Sequence, residues 1–380
     1  MKTLMRKSVW LGLGLALALQ GCSSLNPFSS GDKKLPALKP VASQIRLNDT
    51  WRVKVGASEA YTLQPVAVLD VIFAAGDDQV MRIEKRSRVW KTDVGAAVSG
   101  GVGADGENVL VATPKGEVVA LAADTGKVRW RVRVGAEVLA APAIVDGVVV
   151  VRASDGRLFG LELADGKQRW TYQRVLPPLA VRSAAGVVVD NKMVFVGFPG
   201  GKLVALNPQN GNLMWEGTVA VPKGTTELER VADIASLPVM GPKAACAVAY
   251  QGRLACFDPA NGSVLWTRDI SSAAGLDMDD KAVFVADDKG AIHALDLSTG
   301  ASLWKQEQLV GRTPARPRVL GNYLVVADVE GIVHFLSRDD GAFVARQKTD
   351  GSPVLADPLR VNGEYVVQTR NGSVYGLAVQ

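Results

Sequence analysis

Six times in this chain a glycine is followed fourteen positions later by a tryptophan: Gly76 and Trp90, Gly116 and Trp130, Gly156 and Trp170, Gly201 and Trp215, Gly252 and Trp266, Gly290 and Trp304. A seventh copy opens at Gly331 and carries Ala345 in the tryptophan position. Most copies hold a second turn four residues before the tryptophan, as in Thr125-Gly126, Asp165-Gly166, Asn210-Gly211, Asn261-Gly262 and Thr299-Gly300. In the copy ending at Trp170, apolar runs at 139–145, 148–153, 157–163 and 167–173 are separated by Asp146-Gly147, Ser154-Asp155-Gly156 and Asp165-Gly166. Short runs rich in Val, Leu and Ile between Asp-Gly turns read as a four-stranded antiparallel meander. Four strands in about 40 residues make one propeller blade. A helical solenoid of that period would need a sustained 3.6-residue pattern with caps, which the sequence lacks.

The chain ends predict closure. Trp51-Arg52-Val53-Lys54-Val55-Gly56 repeats Trp130-Arg131-Val132-Arg133-Val134-Gly135 almost residue for residue, yet no blade precedes it. Asn371-Gly372 opens a last copy that stops before its tryptophan strand. The expected fold is all-β: an eight-bladed β-propeller over 50–380, closed by an N-terminal strand that joins the last blade and removes the open edge. The tryptophans are read as blade-junction packing.

Ahead of the array, Lys2, Arg6 and Lys7 precede the apolar run 9–19, too short to span a bilayer and suited to a signal peptide over 1–21. Without those three cations the formal charge falls from +5 to +2, and no basic block with interleaved aromatics remains to bind nucleic acid. Leu19-Gln20-Gly21-Cys22 resembles a bacterial lipobox, which implies lipidation of Cys22, with Gln20 an unusual occupant of the variable place. Ser23 in place of Asp implies, by the same resemblance, delivery to the outer membrane, facing the periplasm. Residues 22–49, rich in Ser, Pro, Lys and Gly, read as a flexible tether.

Two consecutive copies break the period. From Trp170 to Gly201 the chain spends 31 residues and from Trp215 to Gly252 37, against 24 to 27 elsewhere. Both excesses fall where an outer strand hands over to the next blade's inner strand, so both loops are expected side by side on one rim. The first holds Leu176, Leu179, Val181 and Arg182; the second holds Glu227, Glu229, Arg230 and Asp233. Apolar anchors ringed by charge suit a protein interface.

With its lipobox, tether, tryptophan repeats and both long loops, the chain resembles the BamB family, lipoproteins of the outer-membrane β-barrel assembly machinery. The resemblance implies that Leu179, Val181 and Arg182 dock on a POTRA domain of the barrel subunit BamA, with the acidic stretch 227–233 beside them. Ala235 departs from the second Asp that family members often carry. The implied function is a non-catalytic scaffold assisting outer-membrane protein insertion, with unfolded client strands as further partners by β-augmentation.

The alternative is a quinone-cofactor dehydrogenase-like propeller, since 294–304 also fits the quinoprotein repeat. Against it, the vicinal disulfide of those enzymes is missing, because Cys246 and Cys256 stand ten apart. A third, weaker reading is a polysaccharide or peptide module in the central channel. His293 and His334 each follow a turn glycine by three residues, a repeat-equivalent strand position rather than a metal set. Neither cofactor nor metal nor catalytic residue is expected. If Tyr250-Gln251-Gly252 is a three-residue loop with Gly252 left-handed, Cys246 faces Cys256 and a disulfide forms; a two-residue turn would leave two buried thiols.

Overall fold

The computed structural model describes residues 35–58 and 60–379. Eight four-stranded antiparallel sheets follow one another in chain order. Blades one to seven cover 66–93, 100–133, 143–173, 188–218, 239–268, 275–306 and 318–348. Blade eight takes three strands from 359–379, and Leu47–Lys54 pairs antiparallel with Ser373–Val379 as its outermost strand. The ring therefore closes between the first and last parts of the chain, as the two sequence fragments required.

Each strand's sequence follows from what covers it. The second and third strands of a blade are buried on both faces and read as unbroken apolar runs, such as Val148–Arg152 (VVVVR) and Leu254–Phe257 (LACF). Outermost strands are half-exposed and alternate; in Gln168–Gln173 the buried side chain is Trp170. The core lies between blades. Leu110, Ala112 and Val118 of blade two pack against Val149, Phe159 and Leu161 of blade three, and comparable clusters recur around the ring.

The tryptophan and the Gly turn act as one device. Trp130 Nε1 donates to the Leu163 carbonyl of the next blade at 2.9 Å, and Trp170, Trp215, Trp266 and Trp304 reach the carbonyls of Pro208, Pro259, Leu297 and Arg338 at 2.7–3.1 Å. The turn glycine lies flat on that indole: a Cβ at Gly166 would sit 2.7 Å from Trp130. Ala345 replaces tryptophan where the device has no receiver. The third strand of blade eight ends at Val379 and its fourth starts at Leu47, so no hairpin turn faces Ala345; Ile45, Leu47 and Val379 pack there instead.

Three local expectations are corrected. Gly76 is a strand residue without positive φ; the turn is Asp77-Asp78, and the fourteen-residue spacing survives because the next hairpin is shortened to Lys85-Arg86. Gly252 is not left-handed; Gln251 is, at φ 49°. The register is nevertheless the one that opposes Cys246 to Cys256, and the two are joined by a disulfide. Finally, the packed unit begins at Ala37 rather than Thr50. Leu38 and Val41 pack on the cluster shared by blades six and seven, and Gln44 N donates to the Val344 carbonyl at 2.8 Å. Cys22 and the signal segment lie outside the described residues.

Candidate partner-docking surface

The long loops 174–187 and 219–238 link blades three to four and four to five. Pro177-Pro178 forbids strand pairing in the first, since proline has no N–H to give a ladder. The two loops are tied chiefly by the side chain of Asp233. Asp233 is buried; its Oδ2 accepts from Val181 N at 2.7 Å and its Oδ1 from Gly200 N at 3.0 Å. Its own backbone bridges Tyr250 of blade five. A second tie runs from Ser183 Oγ to the Ala235 carbonyl at 2.7 Å. Backbone N–H groups aimed at a carboxylate are strong, oriented bonds. They set the register of 181–183 against 233–235.

That register places Arg182 outward. Its guanidinium pairs with Glu137 at 2.8 Å, from the loop between blades two and three, and lies 5.8 Å from the ring of Tyr61. The Glu137 bond raises its pKa. Beneath the first loop, Arg152 is half-buried and donates to the Ala185 carbonyl at 2.7 Å. Burial brings its pKa down to about 10 against the opposing pull of Asp233.

The eight sequence-predicted residues divide by orientation. Leu179 and Arg182 are exposed and Val181 is half-exposed, as a docking surface needs. Leu176 turns inward onto the core between blades three and four and covers Gly156. Glu227 and Arg230 are exposed and 3.9 Å apart. Glu229 faces its own loop, where Oε2 accepts from Thr225 N, Thr226 N and Thr225 Oγ1 at 2.9–3.1 Å. Those bonds, from Thr226 first, lower its pKa to about 2. Asp233 is a tie rather than a contact. The prediction passed over Val175, Val221 and Leu228, which are 93%, 62% and 68% exposed. Their signal was present: isolated apolar residues inside the two segments that break the period.

Elsewhere on this rim the channel mouth is internally paired. Asp357 accepts from Arg316 and Arg318, both at 2.9 Å, and its N–H donates to Gln64. The histidines are strand residues, each bonded to the Asp that starts its own blade's turn, Asp287 or Asp328. Burial lowers the pKa of His334, and Arg346 donates to its Nδ1. No cluster of three potential metal ligands occurs among the described residues.

The described residues define a closed eight-bladed β-propeller whose period is broken by two neighbouring, partly apolar inter-blade loops. The family described as outer membrane protein assembly factor BamB matches residues 76–306. Outer membrane protein assembly factor BamB of Bordetella pertussis is 40% identical over 363 residues, covering 94% of this chain and 93% of the relative. The crystal structure of BamB from Moraxella catarrhalis superposes with a TM-score of 0.81 at 28% identity, covering 88% of this chain and all of that one. The chain belongs to the BamB family of outer membrane protein assembly factors. A quinohemoprotein alcohol dehydrogenase from Comamonas testosteroni, with a TM-score of 0.71 at 13% identity over 87% of this chain and 76% of that one, shares the fold alone. The dehydrogenase alternative gives way to a non-catalytic assembly factor.

Proposed function

We propose that the rim formed by loops 174–187 and 219–238 docks on a periplasmic POTRA domain of the barrel subunit BamA, in a protein held to the outer membrane by lipid on Cys22. The carrying observation is the Asp233 tie. One buried carboxylate holds both loops in register, leaving Leu179, Val181 and Arg182 on one loop with Glu227, Leu228 and Arg230 on the other. Leu179 and Leu228 supply the apolar centre, and Arg182 gives up an exposed pair with Glu137, worth little in water, for a partner carboxylate. Outward strands of blades four and five carry the exposed pairs Leu213-Met214 and Val264-Leu265. Client strands pairing there would make the scaffold a staging edge beside the barrel subunit.

Arg182→Glu combined with Leu179→Asp tests the docking reading. Co-purification with BamA from detergent-solubilised envelopes is expected to fall by about tenfold or more, an affinity loss near 1.4 kcal/mol, with unchanged thermal unfolding. Undiminished co-purification would overturn it.

A further inference from the structure

The junction between blades eight and one is built differently from its neighbours. Trp51 fills the tryptophan position, but the receiving hairpin of blade one is cut to the two-residue turn Lys85-Arg86, left-handed at both residues. The turn that elsewhere covers the indole is missing. A cavity of about 280 Å³ takes its place, walled by Trp51, Ile72, Ile83 and Glu364. Trp51 Nε1 donates instead to Glu364 Oε2 at 2.9 Å.

Glu364 is 9% exposed, and its other oxygen, Oε1, is buried with no aligned hydrogen-bond donor among the described residues. Arg86, on the rim and 61% exposed, stands 3.1 Å from it. Desolvating a carboxylate oxygen without a donor is unfavourable. Next to the socket, Leu69 is 91% exposed and left-handed at φ 53°. The comparable turns of blades three, four and eight use Asp146, Asn191 and Asn362 at that φ, residue types that tolerate it. A leucine there is both strained and solvated, a combination that points to function rather than folding.

We propose that this socket receives an Arg or Lys side chain from a partner polypeptide, with an apolar neighbour of that side chain resting on Leu69. The regular junctions place an acceptor, a turn carbonyl, against the indole N–H. Here the protein supplies its own acceptor, Glu364, and leaves its second oxygen facing only the rim side chain of Arg86, with no aligned donor, so the occupant must be a donor. A cation satisfies Oε1 and stacks on the indole face. Asp70 and Glu84 line the same opening beside Lys85 and Arg86, with Glu84 paired to Arg82 at 2.7 Å. Displacing Arg86 returns a side chain that is 61% exposed to water, while the incoming cation takes over its charge beside the buried carboxylate. The socket lies among the turns that join first to second and third to fourth strands, on the face opposite the long loops. It is therefore independent of the BamA docking reading and survives or fails without it.

The test follows the Trp51 indole N–H resonance of the full chain in detergent, assigned by its loss in Trp51→Phe. The probes are acetyl-Leu-Arg-Gly-amide and the same peptide with citrulline for arginine. The arginine peptide is expected to shift the resonance saturably with a Kd on the order of 1 mM, and the citrulline peptide to bind at least about tenfold more weakly. Glu364→Gln keeps an acceptor for the indole and should weaken the arginine peptide about tenfold. Leu69→Asn, neutral and tolerant of the left-handed turn, should weaken it about threefold without touching the fold. Equal binding of the citrulline peptide, unchanged binding in both variants, or no shift up to about 20 mM arginine peptide would overturn the proposal.

Discussion

The blade junctions and the paired long loops solve the same problem, joining neighbouring blades, by opposite means. At a junction the acceptor is a main-chain carbonyl, the donor is an indole, and a glycine lets them approach; all three residues recur at fixed spacing. At the loops the acceptor is one carboxylate, Asp233, and the donors are the main-chain N–H groups of Val181 and Gly200. The junction is a repeated structural unit. The loop tie occurs once, in a part of the ring released from the period, and it shapes a surface instead of a core.

The sharpest way to break the junction half of that comparison is Trp170→Ala. Trp170 is buried between blades three and four, bonded to Pro208 and covered by Gly211. Its loss is expected to destabilise by about 4 kcal/mol, transfer term plus cavity, read as a lower urea midpoint. Trp51→Ala should cost roughly half as much, because that indole already borders a cavity. Equal losses would mean that the blade eight to one junction is not the exception its geometry indicates.

This contrast also explains what could be read from the chain. Blade number and closure follow from Gly, Trp and turn spacing, because backbone geometry dictates those residues wherever the unit recurs; the disulfide register was open in sequence, because a two-residue and a three-residue turn both fitted and the left-handed residue is Gln251 rather than Gly252. In sequence Ala345 simply stands in the tryptophan position, and only the ring shows that it faces a junction without a hairpin turn. The positions of both long loops were legible as excess length. The roles inside them were not. Leu176, Glu229 and Asp233 look like interface chemistry in sequence, yet they pack inward, cap a turn and tie two loops. Which way a loop side chain points depends on bonds to residues some fifty positions away, such as Asp233 to Val181, and no local pattern encodes those. The exposure of Leu69 in a left-handed turn was equally hidden, since Leu reads as core.

A smaller effect on stability, though the larger one on the surface, is expected from Asp233→Ala. The change leaves the N–H groups of Val181 and Gly200 without their acceptor and takes a countercharge from half-buried Arg152. Stability should fall by about 2 kcal/mol, and BamA co-purification should be lost although no contact residue has changed. Asp233→Asn, which keeps one carbonyl acceptor, should recover part of both. If Asp233→Ala retained full co-purification, the two loops would not act as one surface.

The smallest effect separates ordering within the second loop from ordering between loops. Hydrogen bonds from Thr226 and Thr225 bring the Glu229 pKa from its ordinary 4.5 down to about 2. A carboxylate whose pKa is lowered on folding contributes fully above its unfolded value and loses that contribution as pH falls through the folded one. The cap should therefore be intact above about pH 4.5, weaken below it, and be gone near pH 2. Amide exchange at Thr225 and Thr226 checks this: protection should persist at pH 5 and fall on acidification, while Glu229→Gln should show weaker protection and no such dependence. Because Glu229 is fully exposed, global stability should barely respond. Identical exchange profiles in the two proteins would assign the order of this loop to the Asp233 tie alone and leave the junction-like local cap without a role.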